Sequence, residues 1–95
     1  MSWLVVLRAV RDELPFEPTD EEARIVGEHY AYLQSLRSEG RLVLAGPSAL
    51  PADTFGLGIF DQDDRAEVEA IVALDPAVRS GIMTAEVRPF RIAVR

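Results

Sequence analysis

The chain has 95 residues, 48% of them hydrophobic, a formal net charge of −6 and no cysteine. Its pI near 4.6 argues against nucleic acid or an anionic membrane surface as partner, because both require a basic footprint. The missing cysteine excludes disulfides, thiol nucleophiles and thiolate metal sites, while the apolar content is too high for disorder.

A single compact domain over residues 1–95 is expected, with no internal repeat or linker. Its core is thin, since a chain this short keeps roughly 35–40% of its unfolded surface exposed. The amino terminus MSWLVVLRAV holds an apolar run too short for a membrane span. It lacks the basic region and cleavage site of a signal peptide, so a cytoplasmic location is expected.

In chain order, Trp3–Ala9 is an apolar run rich in Val and Leu, too short for a stable helix, and reads as a strand. The proline-containing RDELPFEP is a loop. Thr19 and Glu22 have the spacing of a capping box, so a long helix is predicted from Asp20 to about Glu39, stopped by Gly40. Arg41–Ala45 is a short strand closed by Gly46-Pro47, SALPADT is a loop, and Phe55–Phe60 is a third strand. Asp63 or Asp64 caps a second helix running to about Leu74, because Pro76 pushes the residue before it out of helical geometry. Gly81 ends a turn, and Thr84–Val94 is the last strand. The order β-α-β-β-α-β predicts an α+β, ferredoxin-like fold with a four-stranded antiparallel sheet.

In that fold both helices cover one face of the sheet, and the other face should turn polar unless something covers it. The first strand does not alternate. Trp3, Val5 and Leu7 point one way and Leu4 and Val6 the other, and in the second strand Leu42 and Leu44 oppose Val43 and Ala45. A homodimer packed through the open sheet face is the simplest cover; the alternative is a central strand with a few tolerated apolar residues.

His29 is the only histidine in the chain. At about 100° per residue from Val26, Leu33 falls at roughly −20°, His29 at roughly −60° and Ile25 at roughly −100°. His29 therefore lies inside the apolar arc of the long helix, either as a satisfied core residue or as the working group of a site. A buried ring needs a partner, because an unpaired buried polar group costs about 1–3 kcal/mol. Asp75 is the candidate: it follows Ile71 and Val68 on the buried side, where the helix dipole disfavours a carboxylate. Before Pro76 it is equally suited to cap a short turn over Ala77–Ser80, and the two roles are compatible.

The sequence resembles the YciI-like (YCII-related) proteins, small dimeric α+β barrels related in fold to muconolactone isomerase. The resemblance rests on His29 with Tyr32-Leu33, on EGRL…AGP over Glu39–Pro47, and above all on LDPAVRSGIMTAEVRPFRIAV, residues 74–94. It implies a dimer with a pocket containing a His-Asp pair, carried here by His29 and Asp75. The activities attached to the family are eliminations on hydroxylated, chlorinated ring compounds. Many members have an Arg-Pro pair shortly before the histidine, suited to an anionic substrate group; this chain has Val26-Gly27-Glu28, a departure that leaves the substrate open, and the candidate substitutes Arg24 and Arg8 are not marked by the motif.

Gly46, Pro47 and Ser48 form the candidate substrate-binding segment, with the Ser48 hydroxyl either facing the pocket or serving the turn. Gly56 and Gly58 share one face of their strand and either open room for a ligand or allow close backbone approach. One histidine without cysteine makes no recognisable zinc site, and no glycine-rich loop opens a helix, so neither metal nor other cofactor is expected. Acid–base work remains, since imidazole exchanges protons near neutral pH and a carboxylate can orient it. Two functions stay open: a cofactor-independent lyase or isomerase of a small cyclic or enolisable compound, or a dimer that only binds a small molecule as sensor or accessory subunit.

Overall fold

The structure, a computed structural model, describes residues 1–48 and 53–95. Its elements are β1 (Ser2–Ala9), α1 (Asp20–Ser38), β2 (Leu42–Pro47), β3 (Gly56–Phe60), α2 (Arg65–Ala73), the single turn α3 (Pro76–Arg79) and β4 (Met83–Phe90). The strands form one antiparallel sheet in the order β2-β3-β1-β4, the ferredoxin-like arrangement expected. Of the predicted loop SALPADT, residues 49–52 lie outside the described residues.

Local chemistry sets the helix ends. Thr19 Oγ1 accepts from the Glu22 N–H at 3.1 Å and Glu22 Oε1 accepts from the Thr19 N–H at 2.8 Å, completing the capping box. At the other end Gly40, at φ +80°, closes a Schellman turn: its N–H reaches the Arg37 carbonyl and the Arg41 N–H reaches that of Leu36. Asp64 caps α2 through the Ala66 N–H at 2.9 Å, while Asp63 pairs with the terminal amine of Met1. Gly81, at φ +86°, closes the same kind of turn after α3.

Two strands differ from expectation. β4 stops at Phe90 rather than Val94 because its partner β1 ends there, with Ser2 opposite Phe90. In β2 a register shift between Leu42 and Leu44 inserts Val43 as an extra residue. Leu42 and Leu44 therefore do not share a face. Leu42 is buried opposite Phe60 on the helix side, and Leu44, opposite Ile59, is 52% exposed on the other. The strand also runs through Pro47, which an edge position tolerates.

The core lies between the sheet and the helices. Trp3, Val5 and Leu7 of β1 meet Phe60 of β3, Leu36 of α1 and Val68, Ile71 and Val72 of α2. Leu4 and Val6 face the opposite side beside Ile59 and Leu57, and they are only half-buried there. On the same side of β4, Arg88 and Glu86 pair with one another.

Candidate active site

The apolar arc of α1 is wider than the strip it packs. Ile25, His29 and Leu36 are buried, whereas Val26 and Leu33 are half-buried and Tyr30 is exposed. The unpacked part of the arc faces the sheet across a cavity of about 400 Å³. Val5, Leu7, Gly56 and Gly58 form its floor and Val26 and Leu33 part of its roof. The volume lies in the range of small-molecule sites.

His29 and Asp75 both line this cavity, at 4% and 3% exposure. His29 Nδ1–H donates to the two Asp75 carboxylate oxygens, at 2.8 and 2.7 Å. Asp75 Oδ1 also accepts the Ala77 N–H at 2.9 Å, so one carboxylate both caps α3 and holds the imidazole. An ionised carboxylate can only accept, so the ring nitrogen facing it is the donor, and in a neutral imidazole the lone pair is then on Nε2. Among the described residues, Trp3 Nε1 is the buried side-chain atom left without a partner. The hydrogen bonds of the His29 ring among the described residues run through Nδ1, and the residue lines the cavity.

Around the pair, Tyr32 Oη donates to the Ile71 carbonyl at 2.6 Å, tying α1 to α2. Burial first, and then the negative charge of Asp75, push the Tyr32 phenol above its ordinary range. The His29 and Tyr30 rings stand 5.2 Å apart at a tilt of 56°.

Gly46 and Pro47 line the cavity, but Ser48 does not; its Oγ accepts the Phe55 N–H at 3.0 Å and its hydroxyl serves the end of the hairpin. Neither proposed substitute arginine reaches the cavity. Arg24 pairs with Glu21 and Glu28 on the outer face of α1. Arg8 pairs with Asp53 at 3.1 Å and lies over the Phe55 ring. The β1–α1 loop supplies Leu14, Pro15 and Pro18 to the lining, three residues that the sequence alone did not single out. Leu14 is 4% exposed, and an apolar residue inside an acidic, proline-flanked loop was the available signal. Arg11 anchors that loop by donating from Nε to Glu22 Oε2 at 3.1 Å and from its Nη2 to the Glu17 carbonyl at 2.8 Å. Hydrogen bonds from Arg11, then from the Thr19 backbone, hold the Glu22 carboxyl down at about 2.

Among the described residues, no three His, Cys, Asp or Glu side chains are grouped to hold a metal ion, and no helix is long and apolar enough to cross a membrane. The fold and site define a ferredoxin-like α+β protein with a His-Asp pair set into an apolar cavity. The chain belongs to the YCII-related domain family, whose pattern matches residues 1–91. No curated protein matches it. Among solved structures it is similar to 5-chloro-2-hydroxyhydroquinone dehydrochlorinase (TftG) from Burkholderia phenoliruptrix AC1100, in complex with 2,5-dihydroxybenzoquinone. That likeness has a TM-score of 0.72 at 20% sequence identity and covers 96% of this chain and 94% of that one, which speaks for the fold.

Proposed function

We propose that the protein is a cofactor-independent lyase or isomerase that moves a proton on a small cyclic or enolisable compound held in the cavity. The observation that carries this reading is the His29–Asp75 bond, which leaves Nε2 as a base facing an apolar space. Nε2 takes a proton from the substrate, Asp75 stabilises the imidazolium that forms, and the electron pair left behind expels a leaving group or shifts a double bond. The proton then returns to product or solvent. A dehydrochlorinase is an elimination enzyme, so the similarity to TftG supports this class.

A second reading rests on the other bond of Asp75. Because that carboxylate already caps α3, the pair also serves the fold, and the cavity could bind a small molecule without turning it over. Wild type and His29→Ala screened against hydroxyquinones and lactones separate the two. Loss of turnover by about 10²–10⁴-fold with binding retained is expected for the enzyme. Binding without turnover in either protein refutes it.

The same reading includes a homodimer packed through the open sheet face. Leu4, Val6, Leu57 and Ile59 are half-buried there and Leu44 is exposed, an apolar area of the kind that marks interfaces. Light scattering at micromolar concentration should give twice the chain mass of 10.5 kDa, and the mass of one chain would refute the dimer.

A further inference from the structure

The cavity has a chemical preference written into its walls. The ten cationic side chains are all arginines, and none of them lines the cavity. Arg8 has its charge paired with Asp53 and lies over the ring of the lining residue Phe55. Residues 49–52 read ALPA and bring no ionisable side chain. The one anion in the lining is Asp75, 3% exposed and already bound to His29, and an anionic ligand beside it would meet a like charge with no arginine in the lining to offset it. Burying an unpaired charge in such surroundings is strongly unfavourable.

The floor adds a shape. Gly56 and Gly58 lie opposite Leu7 and Val5 on the helix side of the sheet. Neither has a left-handed backbone. A Cβ at Gly58 would meet Phe60 and Leu42 side-chain carbons at 3.4 and 3.5 Å, and one at Gly56 would meet Leu7 Cβ at 3.5 Å, all ordinary contact distances. No close backbone approach therefore requires glycine here. What the two glycines provide is depth: a patch of bare, flat backbone under Val26 and Leu33, with Phe55, Phe60 and Tyr30 among the aromatic walls.

We infer that the site takes a flat, uncharged, largely apolar molecule that lies on the Gly56–Gly58 floor and presents one acidic hydrogen to His29 Nε2, and that it selects against carboxylates and phosphates. This rests on the reading of His29 and Asp75 as the working pair, but its selectivity is measured by binding alone.

The test sets neutral 2-naphthol against anionic 2-naphthoate at pH 7.5, followed by calorimetry and by the NMR signals of the single imidazole. 2-Naphthol should bind at least tenfold more tightly than 2-naphthoate and shift the His29 resonances. Gly58→Ala should weaken it several-fold and Gly58→Val at least tenfold, with circular dichroism confirming that each variant is folded. The smaller variant guards against misfolding of the larger one. Equal or tighter binding of 2-naphthoate overturns the inference, as does binding of neither compound at millimolar concentration. Unchanged affinity in a folded Gly58→Val overturns the assignment of the floor. If the anion wins while turnover still depends on His29, the ligand class fails and the proton transfer stands. If 2-naphthol wins and no compound turns over, the reverse holds.

Discussion

The two long helices lie on the same face of one sheet, yet they meet it differently. α2 packs directly: Val68 is 0% exposed, and Ile71 and Val72 join Trp3 and Phe60 in the core. α1 is about twice as long and buries only Ile25, His29 and Leu36. The difference comes from what each helix finds beneath it. Facing α2 the sheet offers Trp3 and Val87; facing α1 it offers Gly56, Gly58 and Ala45, and the missing side chains become the cavity. One antiparallel sheet is thus dense under one helix and hollow under the other.

The sharpest break between the two halves is expected at Asp75, which belongs to both. Asp75→Asn keeps the shape and an oxygen for the Ala77 N–H but removes the charge that holds the imidazole. Turnover should fall on the order of 100-fold with only a small change in melting temperature, and the pH–rate profile should change shape. Stopped-assay kinetics beside thermal melts measure both quantities. Equal rates in the two proteins would return Asp75 to the role of an α3 cap alone.

Paired valines sharpen the comparison further. Val68→Ala removes two methyl groups from a fully buried site and should cost about 2 kcal/mol in urea unfolding. Val26→Ala, made on a half-buried residue that already borders empty space, should cost under about 1 kcal/mol. Equal losses would mean that α1 is packed as densely as α2.

The smallest effect is expected where the cavity's loop is tied to α1. The Glu22 carboxyl is depressed from 4.5 to about 2, so its contribution is complete above pH 4.5 and is lost as pH falls toward 2. The wild type should therefore lose melting temperature through that window more steeply than Glu22→Gln, which has no carboxylate to protonate. Parallel curves would show that the Arg11–Glu22 pair does not hold the loop.

Element order, both helix caps and the burial of His29 were legible because each depends on neighbours close in sequence. Thr19 and Glu22 are three residues apart, Gly40 ends a helix by its own backbone freedom, and a histidine's place on a helical arc follows from period alone. The Val43 bulge was not legible, since an extra residue in a strand is defined only against the register of its partner. Nor was the end of β4, which depends on where β1 begins.

The chain by itself therefore determined the order of elements, the absence of thiol chemistry and the inward aim of His29, all consequences of local spacing and composition. Tertiary structure decided the rest. Whether Asp75 is cap or partner was open in sequence, and it proves to be hydrogen-bonded both ways because a carboxylate has two oxygens and α3 starts beside α1. Whether Gly56 and Gly58 admit a backbone or make room was equally open, and the distances around them favour room. The physical reason is the same in both cases: a side chain's meaning is set by what stands opposite it, and residues 29 and 75, like 5 and 58, become neighbours only when the sheet and helices close.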